Sequence, residues 1–446
     1  MTSHGTTDRY TGFVSGGFGR TLSRRLGLPQ PVALRRYEPG QPLLDGPIAV
    51  WAVDEPLAAV AELVRAEGLE VHSDGETQLS AVVVDARGAT VPASLDVFPT
   101  QVGPALKRLR RCGRVVVLGR PADAIADPAH AAAQRALEGI VRSVGKELRS
   151  GATANLVLVA DGAVACVEST LRFLLSSRSA YVDGQVVHVG PASELPATDW
   201  RKPLQGKVAV VSGAARGIGA AIAEVLARDG ATVVAVDVPA AGEALANVAN
   251  QVAGTALQLD VTAPDAGRRI AEHAHARHGG LDVMVHNAGI TRDRLLVNMD
   301  ADRWDGVLAV NLESQLRIDD VLLGEGGLAD GGRVVCLSST SGVAGNRGQV
   351  NYAATKAGVI GMVRARAAQV AERGITYNAV APGFIETALT ARIPLATREV
   401  GRRINSLSQG GQPVDVAETV AWLAQPGTAG VNGQVLRVCG QSLLGA

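Results

Sequence analysis

Lys207-Val-Ala-Val-Val-Ser-Gly-Ala-Ala-Arg-Gly-Ile-Gly219 is the stretch on which the fold turns. Its opening residues form a short apolar strand pattern, and glycines 213, 217 and 219 follow at once. A helical period then turns Ile222, Val225 and Leu226 to one face. Ala231–Val236 reads as a second strand that ends on Asp237. Strand, glycine turn, helix and strand make one βαβ unit. Its first turn can bend tightly, approach a pyrophosphate and seat helix on strand. A bare glycine triplet says little; the flanking strand and helix, with an acid at the second strand's end, give it meaning.

Downstream stands Asn351-Tyr-Ala-Ala-Thr-Lys356, with Ser339 thirteen residues before the tyrosine. Tyr352 and Lys356, at i and i+4, fall on one helix face. A nearby ammonium favours phenolate, which would bring a group of ordinary pKa about 10 nearer neutral pH. Ser339 would hold the same substrate oxygen against the phenol. Such a set moves a proton on or off a carbinol oxygen while a hydride moves at carbon.

These motifs make residues 204–440 resemble the classical short-chain dehydrogenase/reductase family. The Gly-x-x-x-Gly-x-Gly spacing is that family's variant, with Ser212 where threonine is usual. The resemblance implies that Ser212, Gly213, Arg216, Gly217, Ile218 and Gly219 line the pyrophosphate. Asp260 and Val261 would border the adenine. Asn287, Ala288 and Gly289 would close the central strand beside the cofactor. Pro382, Gly383, Ile385 and Thr387 would bracket the nicotinamide amide. Asn311 joins Ser339, Tyr352 and Lys356 as a catalytic tetrad, anchoring a water between Lys356 and solvent. Tyr352 and Lys356 also hold the nicotinamide ribose. His286 departs from the asparagine common before Asn-Ala-Gly, at a supporting position.

Asp237 bears on which nicotinamide cofactor is used. A carboxylate there can accept both adenine-ribose hydroxyls and repels a 2′-phosphate. Arg216 pulls the other way, since NADPH-using relatives often carry a basic residue in the loop. Val238 and Pro239 supply no basic partner after Asp237. The expectation is NADH/NAD in preference to NADPH.

At 446 residues the chain is long for one such domain and suits two. Lys plus Arg and Asp plus Glu both number 43, so no basic field recruits nucleic acid. Cysteines 112, 166, 336 and 439 lack metal-ligand or redox spacing and read as small buried residues in a reducing cytoplasm. The N-terminus, with Asp8, Arg9 and Tyr10, has no signal-peptide core, and no apolar run is long enough to span a membrane. His273, His275 and His278 read as a polar helix end, and no metal site is expected.

Residues 46–190 repeat the plan of the second half. Gly113-Arg-Val-Val-Val-Leu118 parallels Gly332-Arg-Val-Val-Cys-Leu337, and Tyr181-Val-Asp-Gly-Gln-Val parallels Gly430-Val-Asn-Gly-Gln-Val. The matches put Arg120 at the serine's place, His130 or Ala131 at the tyrosine's and Gln134 at the lysine's. The glycine loop is gone too, since Pro47–Val53 runs into Asp54-Glu-Pro56. The fold class is therefore α/β. A doubly wound parallel-sheet Rossmann domain (197–446) is preceded by a degenerate Rossmann/flavodoxin-like domain without a cofactor site (46–196) and an N-terminal arm (1–45). The boundary falls in the Pro- and charge-bearing stretch Glu194–Pro203.

Within the family, the catalytic half most resembles β-ketoacyl-acyl-carrier-protein reductases. The layout with an inactive first copy is similar to their high-molecular-weight subfamily. This implies reduction of a 3-oxoacyl thioester, on CoA or acyl-carrier protein, by a cytoplasmic homodimer or tetramer. Ala388–Gln409 would be the substrate lid, and its Arg392, Arg398, Arg402 and Arg403 could meet a phosphate or face solvent. A dehydrogenase of sugars, steroids or polyols remains open on this reading. So do the ketoreductases of polyketide synthases and a scaffold that only senses NADH, although a complete tetrad favours catalysis.

Overall fold

The computed structural model describes residues 10, 12, 16–26, 30–192, 195–196, 198–388 and 390–442. Asp8, Arg9, Glu194 and the Arg392 side chain lie outside the described residues.

Two parallel sheets lie in sequence. The second has the order β12-β11-β10-β9-β6-β7-β8, with β6 Val208–Ser212, β7 Thr232–Asp237, β8 Thr255–Gln258, β9 Val283–His286, β10 Arg333–Leu337, β11 Thr376–Pro382 and β12 Val435–Val438. Strands β6, β9, β10 and β11 are buried along their whole length, as their near-continuous apolar runs require when both faces are covered. The strands all run parallel, but the order of winding reverses between β6 and β9: β7 and β8 are added on one side of β6, and β9 to β12 on the other. That crevice, at the carboxyl ends of the strands, is where such sheets take ligands. Expected and observed strand limits differ by a residue, because Ser212 continues the β6 ladder opposite Val236.

The first sheet has the order β1-β2-β3-β4-β5, with β1 Ile48–Ala52, β2 Leu79–Asp85, β3 Leu109–Gly119, β4 Thr153–Val159 and β5 Val186–Val189. Between β1 and β2 the chain passes along the edge of β1 away from β2, where Val71 forms a parallel bridge with Ile48, so the winding reverses at β1 here too; what this unit lacks is a glycine turn after β1.

The two units are copies at the level of individual hydrogen bonds. Asn155 Nδ2 donates to Val182 O at 3.0 Å and its Oδ1 accepts from Gln185 N at 3.0 Å; Asn378 does the same with Val431 O at 2.8 Å and Gln434 N at 3.0 Å. Buried Arg114 reaches Ser176 O, and buried Arg333 reaches Gln425 O, from matching places. Burial pulls both guanidinium groups down to about 10.

Helix α1 (Ala58–Ala66) follows β1, α2 (Pro128–Glu147) links β3 to β4, and α3 (Glu168–Leu175) precedes β5. In the second unit, α4 (Gly217–Arg228), α5 (Gly242–Gln251) and α6 (Ala266–His278) follow β6, β7 and β8. Helix α7 (Ala301–Leu308) continues through a π turn, Ala309–Glu313, into α8 (Ser314–Leu322). Then come α9 (Val350–Val370), α10 (Leu395–Arg403) and α11 (Pro413–Ala424).

The units meet about a pseudo-twofold axis between β5 and β12. The carboxamide of Gln434 accepts from His188 N at 2.8 Å, and that of Gln185 accepts from Arg437 N at 3.1 Å, a symmetric pair. One apolar core runs through both units, from Leu171 and Phe173 to Val420 and Trp422. The segment Val32–Leu44 lies along the seam. Leu34 and Leu44 enter the core, and Arg36 grips Asp415 with two 2.9 Å bonds. Tyr37 carries the guanidinium groups of Arg178 and Arg228 on its ring. Part of the N-terminal arm is thus built into the body of the protein.

Candidate active site

The glycine loop closes on the next strand. A Cβ at Gly213, where φ is +67°, would come within 2.9 Å of Ala288 Cα, and one at Gly219 would strike the Gly213 carbonyl. Gly217 faces open space at φ +61°. Asn287 Nδ2 donates to Ser212 O at 2.9 Å and Gly213 O at 3.0 Å, while Ser212 Oγ accepts from Asn287 N and Ala288 N. Ser212, Gly213 and the Asn287–Gly289 turn are therefore one rigid piece. Arg216 stands exposed beside Gly217 and Ile218 at the start of α4.

Asp237 is fixed by its neighbours. Its Oδ2 accepts from Ala215 N at 3.0 Å and its Oδ1 from Val238 N at 2.8 Å. Asp260 Oδ1 is engaged by Thr262 N and Oγ1, and Val261 is buried behind it. Across the crevice, Gly383 N donates to Val438 O at 2.9 Å, after Pro382 has ended β11. Ile385 is buried, and Thr387 N donates to Thr390 Oγ1. A turn with no room for a Cβ at Gly213 or Gly219, at a helix start and a switch point, fits a dinucleotide.

Ser339 caps the short helix Thr340–Ala344, accepting from Ser341 N at 3.1 Å. Tyr352 sits in the first turn of α9 with Lys356 one turn on. Lys356 Nζ lies 5.6 Å from the Tyr352 ring centroid and donates to Leu337 O at 2.6 Å. Burial brings the ammonium down to about 8. The phenol is raised above its ordinary value by burial, opposed by the Ser339 hydroxyl and reinforced by Asp293. Burial, the largest influence on the Tyr352 hydroxyl, works against the lowering expected from its lysine, whose ammonium is bonded to the Leu337 carbonyl.

Asn311 falls in the π turn between α7 and α8, fully buried. Its Nδ2 donates to Ile290 O and its Oδ1 accepts from Ile290 N at 2.8 Å, tying the Asn287–Gly289 turn to the helix. A Cβ on Gly289 would lie 3.4 Å from Asn311 Oδ1 and 3.6 Å from Lys356 Nζ, so these groups surround one spot.

The sequence reading missed a buried chain behind the site. His286 Nε2 meets Asp319 Oδ1 at 2.8 Å, Tyr377 OH donates to Asp319 Oδ2, and Cys336 Sγ lies 3.6 Å from Tyr377 OH. The departure at His286 was its one visible sign, since Asp319 looks like any polar helix residue. His273 and His278 share the Thr255 hydroxyl, at 3.0 and 2.9 Å.

In the first unit, register puts Asp85 at the place of Asn287. Its carboxylate accepts from Leu57 N at 2.7 Å and pairs with Arg87. Gln134 fills the lysine's place, accepting from Arg120 N at 2.7 Å and donating to Ala86 O at 2.9 Å.

A dinucleotide cradle at a switch point, with serine, phenol and ammonium beside it, defines an oxidoreductase that uses a nicotinamide cofactor. The chain belongs to the short-chain dehydrogenase/reductase family. Residues 213–440 match the family model described as Enoyl-(Acyl carrier protein) reductase. The chain is similar to the 3-oxoacyl-[acyl-carrier-protein] reductase FabG of Pseudomonas aeruginosa, 45% identical over 240 residues, which cover 53% of this chain and 97% of that protein. The enzyme of the same name from Thermotoga maritima is 40% identical over 242 residues, 53% of this chain and 98% of that one. That from Escherichia coli is 39% identical over 238 residues, with coverage of 53% and 97%.

Proposed function

We propose that the chain reduces a 3-oxoacyl thioester, carried on CoA or acyl-carrier protein, to the 3-hydroxyacyl thioester with NADH. The observation that carries the reading is the juxtaposition of Ser339, Tyr352 and Lys356 beside the glycine cradle. A bound nicotinamide supplies the hydride. Ser339 Oγ and the Tyr352 hydroxyl hold the keto oxygen, and Tyr352 donates its proton to that oxygen as it becomes an alkoxide. A phenol kept protonated by burial suits this direction. Lys356, held by Leu337 O, places positive charge beside the phenol's path. Asn311 fixes the turn against which these groups are set. The relatives' printed substrate and the arginines of α10 support an acyl thioester, although Arg402 is already paired with Glu386 and Glu399.

Asp237, locked by two backbone N–H groups, supports NADH over NADPH because it is aimed as a fixed anion. The first unit, with Asp85 facing its β1 turn and Gln134 in the lysine's place, is read as binding no nucleotide and serving assembly instead. Division at 1–45, 46–196 and 197–446 goes with that reading. The family's packing of the helices that bear Asn311 and Tyr352 supports a cytoplasmic homodimer or tetramer through the α7–α9 face, where Leu316 and Val321 are exposed. Turnover of acetoacetyl-CoA with NADH and with NADPH tests the function; the absence of turnover with either would reject it.

A further inference from the structure

We infer that Tyr181, in the unit without a glycine cradle, is a positioning residue for the substrate loop of the other unit. This rests on the reading that residues 388–409 cover the acyl substrate. That loop hangs from a neck where its two ends meet: Glu386 N donates to Gly411 O at 2.8 Å, and Gly411 N to Phe384 O at 3.0 Å. The neck is seated on the Tyr181 ring. A Cβ on Gly411 would lie 2.6 Å from Tyr181 Cε1, and one on Gly440 2.9 Å from Cε2, so glycine is needed on both sides of the ring.

The phenol then reaches the loop itself. Tyr181 OH donates to Gln409 O at 2.7 Å, and Asn405 Nδ2 donates to the same carbonyl at 2.9 Å. The Gln409 carboxamide donates to Val32 O at 2.8 Å, which adds a tie from the N-terminal segment. Tyr181 is fully buried, and burial holds its hydroxyl well above the ordinary phenol range, so it remains a donor throughout the working pH range.

The internal duplication makes the arrangement one-sided. The position equivalent to Tyr181 in the second unit is Gly430, where a Cβ would come within 2.6 Å of Gly190 O. Strand β4 passes to α3 through the short link 160–167, whereas β11 passes to α11 through 383–412, which contains the loop. One unit carries the loop, and the other carries the phenol that holds it.

The test uses the full chain. Tyr181→Phe keeps the ring between the two glycines and removes only the donor. Loss of one buried hydrogen bond is expected to speed amide exchange in 388–411 by about three- to tenfold and to raise KM for acetoacetyl-CoA by a similar factor. The kcat and the NADH affinity should stay within about twofold, since no group at the cradle or the tetrad is touched. Gln409→Ala, which spares the seam core, should speed exchange in the same segment. Unchanged exchange in both variants overturns the proposal, as does faster exchange in Tyr181→Phe with no rise in KM. Inactivity of the wild type toward the thioester would instead reject the functional reading, and exchange alone would then decide the role of Tyr181.

Discussion

Phe173 and Trp422 hold equivalent positions in the two copies and stack across the pseudo-twofold axis, with centroids 4.4 Å apart and planes 2° from parallel. Around them the core is continuous, and Ser169 Oγ meets Thr428 Oγ1 at 2.7 Å. Neither unit has a finished surface on this side. Phe173→Ala is therefore expected to cost about 3–5 kcal/mol, the range for truncating a buried aromatic. Both units should unfold in one urea transition, seen alike by circular dichroism and tryptophan fluorescence. Two separated transitions would show that the seam couples them less than this packing requires.

Tyr352→Phe removes the proton donor and leaves the cradle intact. General acid–base catalysis contributes about 10²–10⁴-fold, so turnover should fall by at least a hundredfold. The affinity for NADH should remain within about twofold, because the substitution removes one oxygen and leaves Gly213–Gly219, Asp237 and Lys356 unchanged. A variant keeping a tenth of wild-type turnover would remove the phenol from the chemistry.

The catalytic half was legible because its chemistry needs particular residues at fixed spacings. Glycines 213 and 219 have no room for a Cβ, and Tyr352 and Lys356 must share a helix face. The duplication was legible in Asp183-Gly-Gln-Val186 and Asn432-Gly-Gln-Val435, since Asp183 and Asn432 each accept a backbone N–H, from Ala154 and Tyr377. The electrostatics were not legible. Spacing puts Lys356 near the phenol, but only the fold shows the Leu337 carbonyl that holds the ammonium. Nor could spacing place Val32–Leu44 against Gln409 and Asp415, hundreds of residues away, because no local period records a seam.

With Asp85 in the place of Asn287 and Gln134 in that of Lys356, one nucleotide site per chain is the expected outcome. Calorimetry with NADH on the full chain should give a stoichiometry near one, and Gly213→Ala should abolish all of it. Binding to that variant would locate a second cradle in the first unit.

Asp237 also secures the loop through Ala215 N, so its charge is best removed without removing the acceptor. Asp237→Asn does this at Ala215 N and gives up only the second acceptor, the one on Val238 N at the exposed edge. Two unit charges about 4 Å apart at an effective dielectric of about 20 interact by about 4 kcal/mol, and solvent at the ribose trims this. The ratio of kcat/KM for NADPH to that for NADH should rise by roughly ten- to a hundredfold. An unchanged ratio would transfer control of the choice to Arg216.

Lys356 couples activity to stability in opposite directions. Its folded value, about 8, lies below the ordinary 10.5, and burial is the main cause. The ammonium is thus disfavoured in the folded chain at every pH where it is charged. Between about pH 8 and 10.5 the unfolded chain holds more protons here than the folded one, so this site's contribution to stability rises with pH across that window. At pH 7 the penalty is on the order of 3 kcal/mol. Lys356→Met relieves it but strands the Leu337 carbonyl, at a cost of about 1–3 kcal/mol. The variant should be inactive yet at least as stable as wild type at pH 7, with its relative advantage shrinking by pH 10. In the wild type, reduction should lose activity as pH rises through about 8, where the ammonium is lost. Urea unfolding of both proteins at the two pH values, beside the wild-type pH–rate profile, makes the comparison. A Met variant that loses more stability at pH 7 than at pH 10 would mean that the buried lysine is a net support of the fold.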